Sequence, residues 1–159
     1  MASIQQTVTG LDEAIAKFGA LAEVKPEEVA DQIGALVVMQ TQARISSEKA
    51  SPTGEAWKPN MRGTSILFQS GGLNSSIHHL VMGNKTQIGS GLVYARIHND
   101  GGEIRPKKGK ALKYPGRAKQ DMRVQSVVRI PKRQYLGISP ANAQEIEAEI
   151  GKHYLGKMQ

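Results

Sequence analysis

Apolar residues recur at three- and four-residue steps near the two ends of the chain, and alternate with polar ones mainly in its middle. Leu11, Ala14, Ile15, Phe18, Leu21 and Ala22 form one helical row, which predicts an amphipathic helix of about three turns. Lys25-Pro26 interrupts it. Pro26 suits the first position of a second helix, and Glu27 and Glu28 favour that helix's positive end. Val29, Ile33, Leu36, Val37 and Gln40 mark its buried stripe, and it is expected to run to about Ser47, weakened slightly at Gly34. From Ser51 to Ser70 the periodicity gives way to Ser-Pro-Thr-Gly, Lys-Pro-Asn and Arg-Gly-Thr, which read as turns and irregular backbone. A loop this long in a compact domain is usually functional or mobile.

Ser75–Met82 and Thr86–Val93 are short β-capable stretches separated by Gly83-Asn84-Lys85, which predicts a hairpin with a tight turn. Tyr94-Ala95-Arg96-Ile97-His98 either continues a strand or forms one helical turn before Asn99-Asp100-Gly101-Gly102 breaks it. Val124, Val127, Val128 and Ile130 look like a returning strand. Ser139-Pro140 is a helix start, with Ser139 as the cap and Pro140 at the first helical position. Ala143, Ile146, Glu147, Ile150 and Tyr154 then predict a helix to about Leu155. The expected fold class is α+β: N-terminal helices including one long one, a small antiparallel sheet with a long basic β-hairpin or loop arm, and a C-terminal helix. The 159 residues are expected to form a single domain, divided into a helical part (1–50), a loop (51–74), a sheet (75–138) with its arm at about 103–123, and the last helix (139–155).

Composition narrows the chemistry. The chain has no cysteine, which excludes disulfides, thiolate metal sites and cysteine nucleophiles, and makes a reducing cytosol the natural place of assembly. Met1–Gly10 lacks a basic-then-apolar signal pattern, and no apolar run approaches the ~20 residues needed to span a bilayer. A soluble protein made in the cytosol, with no membrane partner, is therefore expected. With one Trp, two Phe and four Tyr, the core must be built mainly from aliphatic side chains. Such a modest core permits stabilisation through an oligomer.

The formal charge of +7 points to an anionic partner. About half of the positive charge lies between Arg105 and Arg133, against the single acid Asp121. The candidate contact residues are Arg105, Lys107, Lys108, Lys110, Lys113, Arg117, Lys119 and Arg123, with Arg129 and Lys132 beyond them. The Gly- and Pro-containing first part of this stretch buries too little apolar surface to hold itself rigid, so a long β-hairpin whose tip orders on meeting a partner is expected. Contact with phosphates would give affinity without sequence specificity and a steep dependence on salt. The alternatives are an acidic neighbouring subunit, or a solvated loop that only aids solubility. Tyr114 is the arm's lone stacking side chain, so duplex DNA fits better than single strands.

No enzyme signature emerges, and no catalytic residue, metal or cofactor is expected. His78 and His79 are adjacent, face opposite sides of a strand and cannot share one metal without distortion. His98 before Asn99-Asp100 suggests an acid–base pair, but no nucleophile stands in a recognisable setting near it. The simpler expectation is a histidine hydrogen-bonded at the sheet edge. Gly71-Gly72 and Gly101-Gly102 lack a phosphate-loop pattern and suit turns of positive φ. Trp57 is expected to anchor its loop on the core, the competing role being an interface hot spot.

Four segments taken together resemble the Mu-like phage virion morphogenesis family of tail-completion proteins. They are Pro52-Thr-Gly54-Glu-Ala-Trp57-Lys-Pro59, Leu67-Phe-Gln-Ser70-Gly71-Gly72-Leu73-Asn-Ser-Ser76-Ile77, Tyr94-Ala95-Arg-Ile-His98-Asn-Asp-Gly101-Gly102, and Ile130-Pro131-Lys-Arg133-Gln-Tyr135-Leu136-Gly137-Ile-Ser139. The resemblance implies that these are positions defining fold and interface rather than catalysis. It implies a virion component of the neck or tail, assembled in the host cytoplasm, that completes the tail so that it can join a DNA-filled head. The implied partners are further copies in a homo-oligomeric ring, expected to be hexameric, head-connector proteins, and tail-terminator or tail-tube proteins; the double-stranded genome in the channel is a further candidate partner on the ground of charge alone. A tail terminator, a head-side connector ring and a free, sequence-independent DNA-binding module are the competing roles. The Lys-rich segment between Gly102 and Val124 departs from the shorter family pattern. In a ring it would line the lumen or reach the next ring as an added strand, the lumen being slightly preferred.

Overall fold

The computed structural model describes residues 24–60, 63, 65–115 and 122–157, together with Gly19. The predicted helix over Leu11–Ala22 lies otherwise outside the described residues, as do Arg117 and Lys119 of the arm. Helix α1, Pro26–Ala43, starts at the proline as expected, with Glu27 and Glu28 in its first turn. It runs on through a π-helical turn, Arg44–Glu48, and stops where Lys49 adopts left-handed backbone with φ of 57°.

The buried stripe of α1 is rotated from the predicted one. Ala30, Gly34, Val37, Gln40 and Thr41 are buried, whereas Val29, Ile33 and Leu36 are only half-buried. The cause is close approach: a Cβ at Gly34 would lie 2.4 Å from Cδ2 of His79 and 2.6 Å from Oγ1 of Thr86. Small residues let the helix sit directly on a β-hairpin, so Gly34 is a packing position rather than a weak point.

That hairpin pairs β1, Ile77–Met82, with β2, Lys85–Ser90, antiparallel from Ile77↔Ser90 to Met82↔Lys85. Its turn is the two residues Gly83-Asn84, with Gly83 at φ +59°, so Lys85 belongs to the strand. Two-residue turns with positive φ match the twist of paired strands, and this fixes the register one residue tighter than predicted. Ser75 lies in a short helical turn, α2, Gly72–Ser75, that leads into β1. Ala95–Asp100 forms helix α3, which resolves the Tyr94–His98 ambiguity in favour of helix.

The arm begins at β3, Gly102–Ile104, which pairs with β6, Val128–Ile130. Further out, β4, Leu112–Pro115, pairs with β5, Met122–Gln125. The β-structure is thus three two-stranded ladders among the described residues. Helix α4, Pro140–Lys157, closes the chain. Its cap is reciprocal: the Asn142 backbone N–H donates to Ser139 Oγ (3.1 Å), and the Ser139 N–H donates to Asn142 Oδ1 (3.4 Å). The architecture is α+β. Ile45, Trp57, Leu73, Ile77, Ala95 and Tyr135 meet in one core where helix, loop and hairpin converge. Burial of each larger apolar side chain there contributes roughly 1.5–3 kcal/mol.

Candidate assembly surface

The arm is built on a charged base. Glu103 in β3 accepts from Arg105 (2.8 Å) and from Arg129 of the opposite strand (3.1 Å), and these hydrogen bonds hold its carboxyl below the usual range. Beyond that clasp the two sides are unequal in length. Residues 105–111, with Gly109 at φ +90°, face only Ser126 and Val127, so the longer side bows outward with Lys107, Lys108 and Lys110 exposed. None of these three lysines makes an ion pair among the described residues.

Antiparallel partners share a face. In β4–β5 the pairs Lys113↔Val124 and Pro115↔Met122 therefore lie on one side, and Leu112↔Gln125 and Tyr114↔Arg123 on the other. The first side is open: Met122 is 54% and Val124 57% exposed, beside the exposed Lys113. The second side is partly turned inward, and the Tyr114 hydroxyl donates to Gln125 Oε1 (2.5 Å). The arm is thus amphipathic as well as basic. Sequence reasoning found its charge and missed its apolar face, because the returning strand is predicted from Val124 onward and leaves out Met122, which shares a face with Val124 at the two-residue spacing of a strand.

Beneath the arm lies a groove of about 610 Å³, lined among others by Leu67, Leu73, Tyr94, Tyr114, Ile130 and Arg133. The segment after β6 is strapped across α3. Asn99 Oδ1 accepts from the N–H groups of Tyr135 and Leu136 (both 3.0 Å), the Tyr135 hydroxyl donates to Ala95 O (2.9 Å), and the Arg133 N–H donates to His98 O (3.0 Å). Burial, reinforced by the charge of Asp100, pushes the Tyr135 phenol up to about 12.

The family-like residues fall mainly in this region. Trp57 is buried and its indole N–H donates to Gln134 O (3.3 Å), so it packs the 51–60 loop on the core. Leu67, itself at φ +57°, and Leu136 pack against the core beside Leu73 and Ile77. Gly54 (φ +85°) and Gly71 (φ +74°) turn the loop. A Cβ on Gly101 would meet Lys132 N at 2.8 Å, and one on Gly137 would meet Pro52 Cγ at 2.8 Å. Gly102 opens β3, Pro131 lines the groove, and Tyr94 is exposed, its ring edge-on to His98 at 5.9 Å.

His98 is helical and not at a sheet edge. Its Nδ1 is buried without a hydrogen-bond partner among the described residues, and burial together with Arg133 holds the imidazole below its ordinary pKa. Asp100 pairs with Arg96 (3.5 Å) and with the Asn99 amide (2.7 Å), so the suggested His98–Asp100 acid–base pair does not form. His79 bonds Asp31 (2.8 Å) and His78 contacts Ser76 O (2.9 Å), on separate sides of β1. No group of metal-ligating side chains is found among the described residues.

Two buried arginines organise these segments. Arg133 donates to the carbonyls of Lys58 (3.0 Å) and Pro59 (3.3 Å). Arg44 donates to the carbonyls of Tyr135 (2.8 Å) and Gly137 (3.0 Å) and to Asn142 Oδ1 (2.6 Å). Burial lowers both pKa values, with Glu48 opposing the effect at Arg44, and a guanidinium nonetheless stays charged. Arg44 escaped sequence reasoning, although it stands two helical turns beyond Val37 and so continues the buried stripe.

What these elements define is a small α+β protein that carries a basic, partly apolar arm. Residues 2–155 match the model of the phage virion morphogenesis family, and the chain belongs to that family. It is a structural and assembly family not known for enzymatic activity, and it gives the chain a structural or assembly role in a phage virion. Comparison with curated proteins gave no match, and comparison with solved structures gave none. No helix among the described residues is long and apolar enough to cross a membrane.

Proposed function

We propose that the protein completes the tail at its head-proximal end and joins it to the DNA-filled head. It acts as one subunit of a closed, hexameric homo-oligomeric ring at the neck, with head-connector proteins on one side and tail-terminator or tail-tube proteins on the other. The observation that carries this reading is the arm. A virion morphogenesis protein that holds three lysines without an ion pair among the described residues, and two exposed apolar side chains outside its own core, has a surface built for contact during assembly. Subunits in a ring bury their flanks in heterologous contacts that close, which supplies the burial a modest core lacks.

Lys107, Lys108, Lys110 and Lys113 also support a second reading, contact of the arm with the phosphates of the genome in the channel. Such contact is independent of sequence and would serve retention rather than recognition. Electron microscopy of particles assembled without this protein tests the joining role. Filled heads beside separate tails of normal length are expected. Overlength tails would point to a terminator and emptied heads to a head-side connector, while normally joined, infectious particles would remove the structural role altogether.

A further inference from the structure

The arm has an apolar side that phosphates do not satisfy and a charge that an apolar surface alone does not satisfy. We propose that the β4–β5 arm of one copy docks on the outer, acidic face of the α1–α4 layer of a second copy, joining subunits head to tail. The inference rests on the reading of the chain as a self-assembling particle component, and specifies which of its surfaces meet.

Charge is segregated between these two parts of the chain. Between Pro26 and Ala43, and again between Ser139 and Gly151, there are six carboxylates, Glu27, Glu28, Asp31, Glu145, Glu147 and Glu149, and no lysine or arginine. The last turns of α4 add Lys152, which pairs with Glu149 (3.3 Å), and Lys157. The two segments lie together. Gln40 of α1 reaches Glu145 (2.7 Å), and Arg44, in the π-helical turn that follows, reaches Asn142 (2.6 Å). Glu27 and Glu147 are exposed and make no ion pair among the described residues.

The same layer carries apolar side chains in solvent. Met39 on α1 is 60% and Leu155 on α4 61% exposed. Acid interspersed with exposed apolar groups is the complement of the arm, where Lys107, Lys108, Lys110 and Lys113 accompany Met122 and Val124. The groove beneath the arm is a poorer seat for a neighbour's arm, because Arg129 and Arg133 line it and would face the lysines. Duplex DNA would satisfy the lysines and leave Met122 and Val124 in water. Arm and layer are different surfaces, so the contact is heterologous, the kind that forms rings when its rotation closes.

The test uses the full chain in sedimentation velocity at graded protein concentration and salt. Wild type is expected to self-associate, and less so as salt screens the charges. An arm variant, Lys107→Glu, Lys108→Glu, Lys110→Glu and Lys113→Glu, and a layer variant, Glu27→Lys, Glu28→Lys and Glu147→Lys, should each associate at least roughly tenfold more weakly alone. An equimolar mixture of the two should recover association, because each reversed surface then meets its reversed complement. Met122→Ser with Val124→Ser leaves every charge in place and should also weaken association, which keeps the test decisive if a charge variant melts abnormally. A wild type that stays monomeric, or a mixture that fails to recover, would overturn the proposal. So would an arm variant that associates normally but loses binding to a duplex of random sequence, an outcome that assigns the arm to DNA. None of these results bears on head–tail joining, which the particle experiment reads separately.

Discussion

Replacing Arg44 with methionine tests how the helical layer is held in place. The side chain is 1% exposed and bridges the π-helical turn to two carbonyls before α4 and to the capping Asn142. Methionine keeps much of the length and apolar stem but leaves the Tyr135 and Gly137 carbonyls without their donor, and leaves Asn142 Oδ1 only the Ser139 N–H. Each such orphan costs about 1–3 kcal/mol, and relief from burying a cation offsets several kcal/mol of the sum. The expected net loss is about 3 kcal/mol, comparable with breaking a buried pair by removing one partner. For a chain of this size, that lowers the melting temperature by roughly 6–12 °C and the urea midpoint by about 1–2 M. Urea and thermal unfolding followed by circular dichroism measure both. Arg96→Met is the control, since that side chain is 91% exposed and its loss should cost less than about 0.5 kcal/mol. An Arg44→Met protein indistinguishable from Arg96→Met would refute the claim that this guanidinium fixes α4 to α1.

Other substitutions address the packing and the titrating groups. Gly34→Ala should destabilise by about 1–3 kcal/mol in the same unfolding assay, because its Cβ collides with the His79 ring and Thr86, whereas Gly→Ala in an open helix stabilises. Tyr135 keeps its proton to about pH 12 when folded, while the unfolded phenol releases it near 10, so stability falls across that interval. The two-unit difference corresponds to about 2–3 kcal/mol, and Tyr135→Phe should flatten that part of the alkaline melting curve. His98 is shifted the opposite way. The unfolded chain takes up its proton first, so stability is held above the ordinary histidine value and lost as pH falls through the folded one. His98→Gln should make the melting temperature less sensitive to acid in that window.

The sequence disclosed elements wherever a single residue type dictates local geometry. Pro26, Ser139-Pro140 and Gly83-Asn84 placed two helix starts and a turn, because fixed φ, a capping hydroxyl and positive φ act within a few residues. It disclosed less where distant segments decide. Gly34 looked like a local weakness because the hairpin that needs its missing Cβ is far along the chain. Arg44 carries no local signal of its role, and Arg133, which the family resemblance marks as defining fold or interface, gives none of its partners; both are spent on backbone carbonyls of distant segments. The arm's positive charge is plain in composition, but its apolar side requires β5 to begin at Met122, two residues before Val124 and on the same face. His98 was misplaced because Asn99 and Asp100 read as turn residues, whereas Asn99 caps the passing 135–136 backbone from within the helix.

The most direct measurement for the whole account is a cryo-EM reconstruction of the head–tail joint of the complete particle. The account predicts a closed ring of this chain at the head-proximal end of the tail, with each arm lying on the helical layer of its neighbour. Density for the chain only at the distal tail tip or within the capsid would contradict it.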